Sequence, residues 1–404
     1  MRQSPKPPQS SHAPKIRESL DPGAQNLVDQ CLEAAVKYRA SDIHIEPQGE
    51  HLVFRFRIDG RLKLWGSAPI EQHSQVLNRL KVLARMDISE KRMPQDGRIS
   101  LQRGQHVLSF RVSTVPMLEG EKAVVRVMQQ DLSKLTIADV GYNTKNYETY
   151  ERLLERPYGL LLHCGPTGSG KTTALYAAIN HLSQQWRNVQ TIEDPIEGRL
   201  AGVNQAQVNA DVGLTFASLL RAYLRQDCDV ILVGEIRDPE TAQLAVQASL
   251  TGHLVLGTLH THDATGAVAR LIDMGVPQFF LGAGLMGAVS HRLVRKLCEQ
   301  CRAVIKPTAE MQRRFGLSAQ HVLYQPVGCA ACGNAGYRGR IGIQEVLPID
   351  SDLKQAIIEN RPESDLKRMA ESKGMISILT DGLGKAVHGL TTVEEVYRTV
   401  MGTP

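Results

Sequence analysis

The sequence predicts an α/β protein built on a parallel sheet, preceded by a smaller α+β domain. Three observations carry this expectation. From about residue 136, four short apolar runs at 160–162, 189–192, 230–233 and 254–259 alternate with stretches of helical periodicity. That is the grammar of parallel strands covered on both faces. Residues 21–130 instead alternate apolar and polar positions in short segments, as half-buried strands do. The length of 404 residues exceeds one ordinary domain.

Residues 1–17 hold four prolines and almost no apolar side chains, so 1–20 is expected to be a disordered basic tail. Leu27, Val28, Cys31, Leu32, Ala35 and Val36 recur at helical spacing, and Asp21-Pro22 is a plausible helix start. Alternation at 41–47 and 52–58 predicts strands, with Asp59-Gly60 as a hairpin signal. Residues 75–86 read as a helix, and 98–101, 107–112 and 123–127 as further strands, giving an N-terminal α+β domain over 21–132. The α/β domain is placed at 136–347 and a C-terminal helical region at 348–404.

Composition excludes several classes. Aromatics are 5% and the net charge is only +5, which argues against a base-stacking, DNA-coating surface. No apolar stretch reaches eighteen residues, and residues 1–19 have no apolar core of a secretory signal. A cytoplasmic protein with peripheral membrane contact is expected. In such a chain the pairs Cys298/Cys301 and Cys329/Cys332 suggest a metal before disulfides.

Chemistry concentrates at Gly165-Pro166-Thr167-Gly168-Ser169-Gly170-Lys171-Thr172, a complete G-x4-G-K-[ST] match between an apolar run and a helical one. Backbone N–H groups of such a loop wrap phosphates, Lys171 neutralises them and Thr172 ligates Mg²⁺. We assign this loop and Thr173 to the nucleotide. The run at 230–233 ends in Gly234-Glu235, where a carboxylate can orient attacking water. Glu193, Asp194 and Glu197 follow another strand and suit a hydrated cation. His253 and His260 bracket a third strand, and His260 falls at its C-terminal, nucleotide-facing end. Four thiolates from the cysteine pairs match tetrahedral zinc, and the 27 residues between Cys301 and Cys329 suggest an inserted subdomain over 298–342. His291 and His321 lie nearby but are not needed.

Together these motifs resemble the secretion ATPases of type II secretion and type IV pilus assembly systems. The resemblance rests on the loop at 165–172, Thr191-Ile-Glu-Asp-Pro-Ile-Glu197, the segment from Val212 to Asp227, Val233-Gly-Glu-Ile-Arg-Asp238 and the stretch from Gly252 to Asp263. Ser41-Asp-Ile-His-Ile-Glu-Pro47, Pro94-Gln-Asp-Gly-Arg98 and Arg111-Val-Ser-Thr-Val-Pro116 add to it. It implies a PAS-like first domain, a RecA-like P-loop NTPase domain and a tetracysteine zinc insertion, which a retraction ATPase lacks. It further implies a homo-hexamer using ATP, Mg²⁺ and Zn²⁺, with Arg98 and Arg111 reaching the phosphates and Arg221 and Arg225 as weaker candidates. The implied partners are a polytopic inner-membrane platform protein and a cytoplasmic domain of a bitopic membrane protein, with no direct nucleic acid. A zinc-bearing DNA translocase or DNA-uptake motor is the alternative. Asp227-Cys228-Asp229 and Thr261-His262-Asp263 depart from the family's usual Asp-Pro-Asp and from its usual Asn before the last Asp. Many members also carry a further N-terminal domain that docks on the platform, and only about twenty residues precede the first domain here.

Overall fold

The computed structural model describes residues 24–103, 106–128, 132–184 and 186–402, so the expected basic tail and the Asp21-Pro22 helix start lie outside the described residues. The chain divides into two compact units, Met1–Gln130 with Val327–Gly336, and Asp131–Pro326 with Tyr337–Pro404.

The first unit contains α1 (Ala24–Lys37), β1 (Asp42–Gln48), β2 (His51–Ile58), β3 (Arg61–Pro69), α2 (His73–Ala84), β4 (Gln95–Arg103), β5 (His106–Met117) and β6 (Gly120–Val127). The strands form an antiparallel sheet in the order β3-β2-β1-β6-β5-β4. Asp59 and Gly60 both have positive φ, 48° and 83°, the geometry a two-residue hairpin demands. One face of the sheet buries Ile43, Ile45, Phe54, Phe56, Phe110 and Val125 together with the apolar stripes of α1 and α2. Each such side chain contributes about 1.5–3 kcal/mol when fully buried. β3 escapes the alternation rule because Gly66 interrupts it. The register shifts between Phe54 and Arg55, and the bulged Trp65 turns inward to stack on Phe56 at 5.1 Å.

The second unit is a mixed α/β layer structure. Its elements are α3 (Thr144–Leu154), β7 (Gly159–Cys164), α4 (Lys171–Ser183), β8 (Val189–Glu193), β9 (Asn204–Gln207), α5 (Phe216–Tyr223), β10 (Val230–Val233), α6 (Pro239–Leu250), β11 (Leu254–Leu259), α7 (Gly266–Asp273), α8 (Gln278–Gly284) and β12 (Leu285–Leu297). There follow β13 (Ala303–Ile305), α9 (Ala309–Phe315), β14 (Leu323–Gln325), β15 (Tyr337–Pro348), α10 (Ser351–Ile358), α11 (Glu363–Ser372), α12 (Ile378–Val387) and α13 (Val393–Met401). The sheet order is β15-β12-β7-β11-β10-β8-β9, parallel throughout except for β15. The four apolar runs of the sequence are its central strands. Both faces are covered: Leu160 and Leu162 enter one apolar cluster while Leu161 enters another.

One boundary differs from the expectation. β15 opens at Tyr337, inside the range assigned to the insertion, so the interruption of the sheet spans only the residues between Leu297 and Tyr337. β13, α9 and β14 in that interruption pack Leu317 and Leu323 against Ala386 and Val393 of the C-terminal helices.

Candidate nucleotide site and cysteine cluster

β7 is buried along its whole length and delivers the chain to a turn that only glycine accommodates. Gly165, Gly168 and Gly170 have φ of 142°, 75° and 96°. A Cβ on Gly165 would sit 2.6 Å from the carbonyl oxygen of His291 and 2.6 Å from Ser169 Oγ. Gly170 is the N-cap of α4, so the helix begins at Lys171 and its first N–H groups, which have no intrahelical acceptor, face the loop. Lys171 Nζ donates to the carbonyls of Gly165 at 2.6 Å and Pro166 at 3.1 Å. Burial pushes its pKa down against the pull of Cys164 and Glu235. The Ser169 hydroxyl is buried with no hydrogen-bond partner among the described residues. Pro166, Thr167 and Thr172 are exposed and Thr173 is half-buried. A loop with an orphaned hydroxyl, an ammonium and a helix N-terminus is what a phosphate chain and its Mg²⁺ require.

Parallel registry brings the other candidates to the same sheet edge. Leu259 pairs with Cys164 and Val233 with Gly257, so the residues following β7, β10 and β11 emerge together. Glu235 Oε1 lies 3.0 Å from His260 Nε2, and its Oε2 lies 2.6 Å from Arg237 Nη2. Burial by itself would raise the Glu235 carboxyl. Arg237, His260 and Lys171 outweigh it and hold the group below the usual glutamate range. Gly234 lets this turn close on β8, since a Cβ there would meet the Ile192 carbonyl at 2.9 Å. Thr258 Oγ1 donates to the Gly234 carbonyl at 2.6 Å, tying β11 to the same turn.

Other expected contributors are placed differently. Glu193 is buried and accepts from Tyr176 Oη, from Thr191 Oγ1 at 2.6 Å and from Gln205 Nε2 at 3.0 Å, so its oxygens are committed to protein donors. Asp194 is exposed and its charge acts on Arg237, while the Glu197 N–H donates to Tyr176 Oη at 3.2 Å. His253 precedes β11, at the end opposite His260 and roughly 20 Å away by strand rise. Its Nδ1 lies 3.1 Å from the Ala248 carbonyl, so it closes the α6–β11 turn rather than touching phosphate. Arg221 pairs with Glu240, and Arg225 donates to the Arg221 carbonyl.

Sequence reasoning gave no role to Arg237 or to the layer beneath the loop. Tyr150 Oη, His163 and His291 form a buried chain with contacts of 3.1 and 3.0 Å. Burial lowers His163 to about 3, so both imidazoles stay neutral. The stacked rings, 5.0 Å apart, seat the His291 carbonyl that Gly165 must clear. A histidine inside an apolar strand was the available signal.

The Sγ atoms of Cys298, Cys301, Cys329 and Cys332 all lie within 4.8 Å of one another. Cys329 and Cys332 are 3.8 Å apart, about the sulfur separation of a tetrahedral site with 2.3 Å Zn–S bonds. Cys332 Sγ also accepts from the N–H groups of Cys329 and Gly336, each at 3.2 Å. The donor set fits zinc. His321 instead accepts the Ser318 N–H, 3.1 Å from its Nδ1.

In the first unit, strand register aligns charges in one cross-strand row. Arg98 stands opposite Arg111, Arg111 opposite Arg126, Arg126 opposite Asp42, and Asp42 opposite Arg57. Asp42 lies 3.1 Å from Arg126 and 3.8 Å from Arg57, and Asp96 lies 3.7 Å from Arg111. Asp42 and Asp96 stand among these arginines and offset repulsion between the directly opposed like charges. Arg126 belongs to it and was not singled out from the sequence.

Comparison with known proteins agrees with this geometry. The type II/IV secretion system protein family matches residues 18–398. The chain is 49% identical over 372 residues to type II secretion system protein E of Dickeya dadantii, covering 92% of this chain and 74% of that protein. It is 43% identical to the type IV pilus assembly ATPase PilB of Thermus thermophilus, covering 95% of this chain but 44% of that protein. The crystal structure of the pilus retraction motor PilT with bound ADP superposes with a TM-score of 0.64 at 26% identity, covering 93% of this chain and 96% of the other. The X-ray structure of the Legionella pneumophila ATPase DotB shares the fold, with a TM-score of 0.72, 20% identity and coverage of 96% and 99%. With a phosphate loop, a carboxylate–histidine pair at its edge and a match along nearly its whole length, the chain belongs to the type II/IV secretion system protein family.

Proposed function

We propose that this chain is an ATP-hydrolysing motor that drives assembly of a pseudopilus or pilus fibre. The observation that carries the reading is the convergence of the Lys171 loop with Glu235 and His260 at the ends of three adjacent strands. The second unit is then a RecA-like NTPase domain and the first a PAS-like one. The loop from Gly165 to Thr173 holds the phosphates. Thr172 ligates Mg²⁺, and Asp194 and Glu197 lie in the acidic segment suited to its water shell. Bound Mg²⁺ supplies charge neutralisation for the phosphoryl oxygens. Glu235 orients the attacking water, His260 holds the carboxylate, and Arg98 and Arg111 offset charge as the phosphoryl group leaves. The tetracysteine site holds a structural zinc without a catalytic role.

Six copies form the working ring, on the cytoplasmic side of the inner membrane, against a polytopic platform protein and a cytoplasmic domain of a bitopic membrane protein. No helix of the described residues is long and apolar enough to cross a membrane, which is consistent with peripheral attachment. The test is affinity capture of tagged Glu235→Gln protein from native membranes with ATP present. Recovery of a polytopic platform protein with secretion components supports a secretion motor, and pilins with pilus-alignment proteins support a pilus motor. Absence of any membrane partner, together with ATP turnover stimulated by DNA, would overturn the reading in favour of a translocase.

A further inference from the structure

The loop that follows β11 stays on the strand ends of the second unit's sheet. Leu259 pairs with Cys164 on β7, Cys164 with Ser290 on β12, and Ser290 with Glu345 on β15. These four residues stand in one cross-strand row. The loop from His260 to Thr265 meets the three neighbouring strands in the same order. Thr261 lies against Cys164. The His262 carbonyl accepts from Ser290 Oγ at 3.3 Å and from Arg292 Nη2 at 2.7 Å. The Ala264 N–H donates to Glu345 Oε1 at 3.1 Å.

The His260 side chain is 45% exposed, so packing does not hold it against Glu235. Its place is set by the backbone that carries it. Glu345 is the buried anchor of that backbone. It is 2% exposed, and its partners are backbone N–H groups, Ala264 from the loop and Ile378 at the start of α12. Burial raises its pKa, opposed by the two N–H groups and by the charge of Lys367. A buried carboxyl is costly unless hydrogen-bonded, and these bonds fix one short loop. The same loop is held at two further points. Asp263 accepts from Lys367 Nζ at 3.1 Å and from the Gly266 N–H at 2.9 Å. Arg292 Nη1 donates at 2.9 Å to the His291 carbonyl, the atom that Gly165 must clear.

We propose that Glu345 is a positioning residue for ATP hydrolysis: by holding the Ala264 N–H it fixes the loop that carries His260, and so keeps His260 against Glu235. This role rests on the reading of Glu235 and His260 proposed above. Glu345 acts through His260 and not on the nucleotide. Its bond to Ile378 places the C-terminal helices in mechanical contact with the same loop.

The test is a double-mutant cycle in the full chain, with kcat and KM for ATP as readouts. Glu345→Ala is expected to lower kcat about tenfold or more while KM moves less than about twofold, since small misplacements cost catalysis of this order. His260→Ala lowers kcat as well. Glu345→Ala/His260→Ala is expected to be no slower than His260→Ala alone, because residues that act as one unit are not additive. Glu345→Gln keeps the shape and one acceptor oxygen, so its kcat should fall between wild type and Glu345→Ala. It carries the same cycle if Glu345→Ala does not fold. Additive losses overturn the proposal, since a role in stability alone would give them. A change in KM alone, or an unchanged kcat in either single variant, overturns it equally. Lys171→Ala and Glu235→Gln separate the two levels: turnover retained in them sinks the motor reading itself, whereas turnover lost in them beside additive Glu345 losses sinks only the role of Glu345.

Discussion

His260 Nε2 stands 3.0 Å from Glu235 Oε1, a pairing made possible because β10 and β11 are adjacent and in parallel register. The carboxylate is thereby fixed at the edge where Lys171 emerges. Glu235→Gln keeps the shape but removes the charge. It is expected to bind ATP normally and to lower turnover by about 100-fold or more, since positioned base chemistry contributes factors of this order. Nucleotide binding by fluorescence and single-turnover hydrolysis check this, and normal turnover would remove Glu235 from the mechanism. Lys171→Ala should abolish turnover.

The acid limb of the pH–rate profile should report the same group. Arg237, His260 and Lys171 depress the Glu235 carboxyl despite its burial. Its charged form therefore persists below the ordinary glutamate range, and turnover falls only as pH drops through the lowered value. Arg237→Ala should shift that limb towards higher pH. A limb that does not move would mean another group titrates.

Arg98→Ala and Arg111→Ala are expected to lower kcat more than they raise KM, because charge on the phosphoryl oxygens is greatest as the bond breaks. Steady-state kinetics makes the distinction. A pure KM effect would place these arginines in ground-state binding.

Removal of metal should act locally. Chelation, or Cys298→Ser, should release one zinc per chain and expose the region between β12 and β15 to proteolysis, with the phosphate loop still binding nucleotide. Metal analysis and limited digestion read the two effects. Full loss of nucleotide binding would contradict a purely structural site.

A stability test lies at Arg295 and Glu395, joined by two bonds of 2.9 and 2.8 Å, both little exposed, with Arg295 stacked on Tyr337 at 3.8 Å. Breaking such a buried pair by Glu395→Ala should cost about 3–5 kcal/mol. Burial raises the Glu395 carboxyl but Arg295 and Arg398 depress it further. The stability it contributes is thus full above the ordinary glutamate pKa and lost as pH falls through the lowered one. Thermal melts of wild type and variant should converge in acid.

How far the sequence anticipated this architecture depended on how local the signal was. β7, β8, β10 and β11 are buried along their whole length inside a two-faced sheet, and the apolar runs in β7 and β10 are readable without partners. β9 and β15 sit at sheet edges with mixed polarity, and β12 follows α8 without a turn, so only tertiary pairing defines them. At the site, Lys171 and Glu235 followed from motif and strand end. The inward commitment of Glu193 and the distance of His253 did not, because both depend on which neighbours the packing supplies. The Arg98–Arg111–Arg126 alignment needed the register of three strands.

That alignment makes the first unit responsive to its solvent. Asp42 and Asp96 already pair with arginines of the row, and any multivalent anion that binds the row in the folded form alone raises its stability by mass action. Sulfate or polyphosphate that binds there should therefore protect the chain against heat. Buffers chosen for purification would then alter the apparent robustness of the protein before any nucleotide is added.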